Sequence, residues 1–223
     1  MLNSFSIFHG KLYGSFLKRL LDISLSIFLI LLFFPICFVT AILIKFDSKG
    51  PVFADVPERV GQNGKKFRIY KFLSMIINAH NLLRTDPQFK NLFEEYKRES
   101  YKLKKDPRIT KMGKYIRKHS IDELPQLINV LRGEMSIVGP RAYYPDELEN
   151  QQKKYVQTKK LVSKVLSVRP GITGLWQVSG RSEVNFDKRI AIDAKYVDTM
   201  SLWNDLVIIA KTPLIMLTGK GAV

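Results

Sequence analysis

The sequence predicts a mostly helical α+β protein, in which an N-terminal membrane segment precedes a compact globular domain with a small sheet. Residues 23–44 form an uncharged run rich in Leu, Ile and Phe, which is long enough to enter a bilayer. Residues 62–70 combine a turn cluster with alternating apolar side chains, a pattern typical of a hairpin. Much of the remaining chain has helical composition, and 223 residues suffice for one hydrophobic core.

The membrane segment has two readings, because Pro35 lies near the middle of the apolar run. Proline removes a backbone hydrogen bond and predicts a kink there. Lys18 and Arg19 precede the run and Lys45 follows it, so both flanks favour the cytoplasm. A re-entrant helix-break-helix over about residues 19–45 satisfies both flanks, whereas a single spanning helix tolerates the proline but places one flank outside. Either reading separates a membrane segment, residues 1–45, from a globular domain, residues 46–223.

The charge balance indicates anionic partners. Lys and Arg number 36 against 20 Asp and Glu, a net charge of +16, which suits nucleic acid, anionic lipid headgroups or phosphorylated substrates. The stretch from Tyr96 to Lys118 is very basic and contains only Glu99 and Asp106 as acids. It is either an ordinary solvated helix surface or a face for anionic lipid. The single cysteine, Cys37, excludes a disulfide framework and a cysteine zinc site.

Four helical regions are predicted in the globular domain, over residues 75–104, 124–131, 146–160 and 201–217. In the last region Leu202, Trp203, Leu206, Ile209 and Leu214 recur at roughly helical spacing. Such a stripe is typical of a helix that packs on the core, and also of a helix that lies in the bilayer interface. The pattern alone leaves both interpretations open.

The heptad from His119 to Pro125 carries the strongest chemical signal. Asp122 and Glu123 stand just before Pro125, which favours the first helical turn, so both carboxylates are expected at a helix N-terminus, where a phosphate can also bind. An ionised carboxylate beside a phosphate is a potential nucleophile, and adjacent carboxylates can hold Mg²⁺. The alternative is structural, because Ser120-x-x-Glu123 is also a capping-box pattern.

Basic and glycine-containing stretches surround this heptad in the sequence. Arginine binds phosphate oxygens through a bidentate fork, so several of these side chains together could clamp a diphosphate, although each one alone is explained as a surface charge. The substrate-binding candidates are Lys71, Arg108, Arg117, Lys118, Gln126, Pro140, Arg141, Arg169, Gly171, Thr173, Gly174 and Arg181.

Read together, these stretches resemble the bacterial sugar transferase family, the monotopic phosphoglycosyl transferases that start glycan assembly on undecaprenyl phosphate. The resemblance covers about residues 18–223. The matching blocks are Lys18–Asp22, Gly50–Phe53, Glu58–Gly61, Tyr70–Phe72, Asp106–Thr110, Ile116–Lys118, Ser120–Gln126, Asn129–Leu131, Met135–Arg141 and Arg169–Arg181.

The resemblance implies a two-step reaction. Asp122 would attack the β-phosphate of a UDP-sugar, release UMP and carry a sugar phosphate that polyprenyl phosphate then accepts. Glu123 would hold Mg²⁺ against the diphosphate. The anion contacts would be Arg117, Lys118, Arg141 and Arg169. The C-terminal block resembles relatives that transfer hexose phosphates such as galactose or glucose.

The resemblance also implies a cellular setting. The enzyme would lie in the bacterial inner membrane with its catalytic domain, residues 46–223, in the cytoplasm. Its partners would include anionic lipids but no nucleic acid, and a homo-oligomer is compatible with the sequence, which does not define the oligomeric state. The membrane-associated residues would be Lys18, Arg19, Asp22 and Pro35, the last at the bend of a re-entrant helix.

Two further points bear on this interpretation. Leu73 departs from the pattern, because the family generally has arginine there. The rival hypothesis is a membrane-tethered module that binds anionic lipid or nucleic acid without catalysis. That module would release no UMP from any UDP-sugar.

Overall fold

The protein is known here from a computed structural model that describes residues 13–48, 50–99, 101, 103, 105–179 and 185–218. The described residues form a mostly helical body with two small sheets, as predicted. The helices are α1 (Lys18–Asp47), α2 (Ala79–Thr85), α3 (Lys90–Arg98), α4 (Lys111–Lys118), α5 (Gln126–Leu131), α6 (Pro145–Lys154), α7 (Lys159–Val165), α8 (Leu175–Val178), α9 (Phe186–Asp198) and α10 (Leu202–Thr218). The strands are β1 (Arg59–Val60), β2 (Lys66–Phe67), β3 (Ser136–Val138) and β4 (Gly171–Thr173).

The predicted hairpin is present as the antiparallel pair β1 and β2. Arg59 lies opposite Phe67, and Val60 lies opposite Lys66. The Val60 amide also donates to the carbonyl of Tyr143 at 2.9 Å. The hairpin is therefore tied to the segment that follows β3.

The second sheet is the parallel pair β3 and β4, and it depends on glycine. Gly171 lies opposite Ser136, and Thr173 lies opposite Val138. A Cβ atom at Gly171 would stand 2.1 Å from the backbone nitrogen of Gly139, so a larger residue would force the strands apart. The two glycine-bearing stretches thus bring distant parts of the chain together.

Three predicted helical regions are shorter or more divided than expected. Region 75–104 holds α2 and α3, separated by a 3₁₀ turn over Pro87–Phe89, which Asp86 starts by accepting from the amide of Gln88. Region 146–160 is α6 followed by α7, with an interruption at Tyr155. The helix expected from residue 124 begins at Gln126. Region 201–217 is confirmed as α10, which contains Pro213.

Helix α1 runs without interruption through Pro35, so the predicted break in the helix is not seen. Proline removes only the hydrogen bond that its own nitrogen would donate, and the adjoining turns keep theirs. Among the described residues, α1 is the one helix long and apolar enough to cross a membrane by length and composition.

Helix α1 packs on the globular body near its start and near its end, while residues 27–39 contain no buried side chain. Lys18, Asp22, Ser26, Thr40 and Ile44 are buried and recur at helical spacing. The opposite face exposes large apolar side chains, namely Ile27, Phe28, Leu31, Leu32, Phe34, Phe38, Val39, Leu43 and Phe46. Such a continuous apolar surface is typical of a membrane-associated face. Helix α1 and the body share packing surfaces, and the division at residue 45 stays a prediction.

Two buried clusters support the cavity described below. The first joins β2, α5, β3 and α10, with Val130, Met135 and Ile208 at its centre, and α1 packs on it through Leu25 and Leu29. The second joins α6, α7 and α9 around Leu148, Val162, Val165, Phe186 and Ile190.

Candidate active site

A cavity of about 300 Å³ lies between the hairpin, the turn before α5 and the segment after β3. This volume is at the lower end of the range typical of small-molecule sites, roughly 300–1,000 Å³. Its lining includes Lys71, Arg108, Arg117, Asp122, Glu123, Gln126, Arg141 and Gly171 from the predicted site. It also includes Arg59, His80, Tyr96, Tyr144 and Trp176, which the sequence did not single out as site residues.

The two carboxylates stand in a 3₁₀ turn, Ile121–Glu123, directly before α5. Ser120 precedes the turn with φ 56°, and within the described chain its side chain makes no cap hydrogen bond to that turn. The capping-box alternative is therefore wrong for this turn. Asp122 is 3% exposed, and its carbonyl accepts from the amide of Phe72 at 3.0 Å.

Lys71 holds both carboxylates from the extended segment after β2. Its Nζ lies 2.7 Å from Glu123 Oε1 and 3.4 Å from Asp122 Oδ2. Burial raises the pKa of Asp122 above its usual value, although Lys71 opposes that rise. Burial acts the same way on Glu123, but Lys71 outweighs it and the pKa of Glu123 is lowered. The pKa of Lys71 is raised, because the two carboxylates outweigh the effect of burial.

Arg141 is held at the cavity by residues behind it. Its amide donates to Asp193 Oδ2 at 3.2 Å, and the same oxygen accepts from the Tyr143 hydroxyl at 2.9 Å. The Arg141 guanidinium lies 5.2 Å from the centre of the Trp176 ring. Burial raises the pKa of Asp193 to about 7, while these hydrogen bonds and Arg189 lower it in part.

Several predicted substrate contacts do not line the cavity. Lys118 is exposed on α4. The Arg169 Nε donates to the carbonyl of Gly133 at 2.9 Å, and the Thr173 hydroxyl pairs with that of Thr212 at 2.8 Å.

Three further predicted contacts, Pro140, Gly174 and Arg108, interact with other parts of the protein. Pro140 accepts through its carbonyl from the amide of Gly171 at 2.8 Å, and Gly174 packs against the carbonyl of Gly139. Arg108 does line the cavity, but its guanidinium is ion-paired with Asp106 at 2.6 Å. Arg181 lies outside the described residues. A substrate contact by any of these residues stays a prediction.

The predicted membrane residues anchor the start of α1 to the body. Lys18 Nζ lies 2.5 Å from Asp205 Oδ2 on α10. Asp22 accepts from the Ser136 hydroxyl at 2.8 Å and from the amide of Ile137 at 2.9 Å. The Arg19 guanidinium donates to the carbonyls at the end of α5. Pro35 is exposed.

The five cavity residues that sequence reasoning missed come from five separate segments. Arg59 lies in β1, His80 in α2, Tyr96 in α3, Tyr144 just before α6 and Trp176 in α8. Burial and the cations Arg59, Arg108 and Arg84 lower the pKa of His80 to about 3, so this ring is neutral at physiological pH. Arg59 and Trp176 stood in sequence blocks that match the family, and no local pattern marks the others as cavity residues.

The carboxylate pair has the chemistry that suits Mg²⁺. The Glu123 side chain is 32% exposed beside the buried Asp122, which leaves access for water and phosphate oxygens. Across the described ranges no group of three or more His, Cys, Asp or Glu side chains could hold a metal. An ion held by this pair would take its other ligands from water and from the phosphate oxygens of a substrate.

Comparison with known proteins supports the resemblance to the bacterial sugar transferase family. Residues 13–219 match the family model described as bacterial sugar transferase. The chain is 43% identical to the UDP-galactose-lipid carrier transferase of Erwinia amylovora and 42% identical to the undecaprenyl-phosphate galactose phosphotransferase of Salmonella typhimurium. Each alignment covers 96% of this chain but 43% of the relative, so the chain spans less than half the length of these proteins. It is also 41% identical to the exopolysaccharide production protein ExoY of Rhizobium meliloti, over 94% of this chain and 89% of that protein.

Proposed function

Because the chain belongs to the bacterial sugar transferase family, we propose that it transfers a sugar 1-phosphate from a UDP-sugar to polyprenyl phosphate and releases UMP. One observation carries the proposal: the buried Asp122 carboxylate faces a cavity beside Lys71, with Arg117 and Arg141 also in the lining. The names of the relatives support both a galactose-type donor and an undecaprenyl phosphate acceptor.

In the first step an Asp122 oxygen forms a bond to the β-phosphorus of the donor. The bond from that phosphorus to the bridging oxygen breaks, and its electron pair leaves with UMP. Lys71 favours the ionised form of Asp122, which is the nucleophilic form. In the second step an oxygen of polyprenyl phosphate attacks the same phosphorus and frees the Asp122 carboxylate.

Glu123 would hold Mg²⁺ at this site, with Asp122 as its neighbour. A bound Mg²⁺ supplies neutralisation of phosphate charge. Lys71 keeps Glu123 ionised, because its pKa is lowered by that contact. A carboxylate that stays charged over the physiological range is the form that a cation requires.

The position of α1 supports a re-entrant, monotopic attachment on the cytoplasmic face of the inner membrane. At its start Lys18 pairs with Asp205, and at its end Ile44 packs with Phe72 while Asp47 accepts from the amide of Met112. A helix that crossed the bilayer would carry one end about 30 Å away from a body on the other side. Both ends of α1 instead contact the same body, and its exposed apolar face is left for lipid.

A UMP-release assay tests the reaction across a panel of UDP-sugars. The wild-type protein in lipid is expected to release UMP from at least one donor, and Asp122→Asn is expected to release none while keeping its thermal unfolding temperature. Asp198→Asn removes a carboxylate from an exposed surface pair with Lys164 and serves as the matched control. Normal turnover by Asp122→Asn would refute the nucleophile. The lack of UMP release by the wild type with every donor would favour the binding module.

Topology is tested separately. Epitope tags at residues 1 and 223 are both expected on the cytoplasmic side of spheroplasts, resistant to external protease. Cleavage of the N-terminal tag from outside would restore the single-span reading.

A further inference from the structure

We propose that Arg59 binds the donor phosphate that departs with the nucleoside, acting together with Arg141. The inference rests on the proposed function and deepens it, because it assigns one part of the donor to one end of the cavity.

Arg59 is a buried cation without an ion pair. The residue is 9% exposed, and no carboxylate of the described chain lies within ion-pair distance of it. One Nη donates to the carbonyl of Ala142 at 3.2 Å, and the guanidinium lies 3.3 Å from the centre of the Tyr144 ring. Its Nε is buried with no hydrogen-bond partner among the described residues. Burial of an uncompensated charge is costly, so this position is suited to an anionic ligand.

Arg141 resembles Arg59 in one respect. Its Nε is also buried and, within the part of the chain described, has no hydrogen-bond partner. The Tyr96 hydroxyl interacts electrostatically with both guanidiniums, and Glu123 interacts with Arg141. Arg59, Arg141 and the two carboxylates line the same cavity.

The geometry of phosphoryl transfer selects which phosphate lies there. Attacking and leaving oxygens stand roughly in line on opposite sides of the transferred phosphorus. With the β-phosphorus beside Asp122, the bridging oxygen and the departing phosphate must point away from that carboxylate. Arg141 and Arg59 both line this cavity, and their forks match phosphate oxygens. They would neutralise the charge that develops as UMP leaves.

Both guanidiniums are fixed by the fold before a donor binds. The Val60 amide bonds to Tyr143, which holds β1 beside Ala142 and Tyr144. Asp193 holds the Arg141 backbone from α9. Fixed donors at the site of developing charge are the arrangement that lowers a transition-state barrier.

The test measures the binding of UMP and of uridine to the full chain in nanodiscs, without turnover. Arg59→Met is expected to weaken UMP binding about 10- to 100-fold, the size typical of lost charge-assisted hydrogen bonds, and to leave uridine binding unchanged. Lys66→Met removes the same charge from an exposed position on β2 and is the matched control. Arg59→Lys keeps the charge without the fork and is expected to give an intermediate loss; it carries the comparison if Arg59→Met does not fold.

The outcomes separate this inference from the proposed reaction. If Arg59→Met binds UMP as tightly as Lys66→Met does, or loses affinity for UMP and for uridine equally, the proposed role of Arg59 is overturned. Arg59-dependent UMP binding without UMP release from any UDP-sugar would support the phosphate site and refute the reaction. In an active protein, a fall in kcat/KM that Arg59→Lys partly restores would support the assignment further.

Discussion

Replacement of Lys71 by methionine is expected to move the acid limb of the pH–rate profile to higher pH. Lys71 favours ionised Asp122 across 3.4 Å. That interaction is worth about 1 kcal/mol in water and about 5 kcal/mol at an effective dielectric constant of 20. Loss of an interaction in this range of about 1 to 5 kcal/mol should raise the pKa of Asp122 and move the acid limb with it.

An interaction energy in the lower half of this range is expected, for two reasons. The Lys71 side chain is 20% exposed, so solvent screens part of its charge. Without Lys71 the pKa of Glu123 also rises, and a protonated Glu123 no longer repels ionised Asp122. The sign is unambiguous, because removal of a cation disfavours the charged carboxylate.

The assay is single-turnover UMP release between pH 5 and 9. Lys71→Arg keeps the charge and should leave the acid limb near its wild-type position, and Lys114→Met removes an exposed cation from α4 as a second control. An acid limb for Lys71→Met that coincides with that of Lys114→Met, or lies at lower pH, would refute the assigned coupling.

Three other predictions concern the metal, the pH dependence of stability and the glycine contact. Glu123→Gln should raise the Mg²⁺ concentration needed for half-maximal UMP release about 10-fold, a size typical of losing one group that supports a metal site. An unchanged Mg²⁺ titration would show that Glu123 does not hold the ion. The pKa of Asp193 is raised to about 7 in the folded protein, so between about pH 4 and pH 7 the carboxyl ionises in the unfolded chain before it ionises in the folded one, and the free energy of unfolding falls. Asp193→Asn should therefore unfold at a higher temperature than wild type at pH 8. The difference in unfolding temperature should be smaller at pH 5. In Gly171→Ala the added Cβ atom would lie 2.1 Å from a backbone atom, whereas in Gly64→Ala it meets no atom within 4 Å and only the positive φ is strained. Gly171→Ala should therefore lower the free energy of unfolding by well over the roughly 1 kcal/mol expected for Gly64→Ala. Equal unfolding temperatures for the two variants would contradict this.

The local parts of the fold were accessible from sequence. The apolar run predicted α1, and the turn cluster after Val60 predicted the hairpin. These features depend on residues close together in the chain, where propensity and periodicity act. The break expected at Pro35 was wrong as a helix boundary, because a single missing hydrogen bond does not end a helix.

The candidate site was accessible only in part, because it is assembled from distant segments. Asp122 and Glu123 stood out as neighbours, but the contact of Lys71 with both depends on how the segment after β2 lies against the turn before α5. Arg59 lies against Tyr144 because β1 bridges to Tyr143, a contact across more than eighty positions in sequence that no short pattern encodes.

A short chain of contacts links the cavity to α1, whose large apolar side chains are exposed. Ile44, near the end of α1, packs with Phe72 and Leu73. The Phe72 amide donates to the carbonyl of Asp122 at 3.0 Å. Leu73, which stands where the family generally has arginine, is thus buried in the joint between α1 and the catalytic turn. An apolar residue suits the packing with Ile44 and Phe72 at that joint. Phe72 therefore connects α1 to the turn that carries Asp122, so a displacement of Ile44 would reach that turn through a single residue.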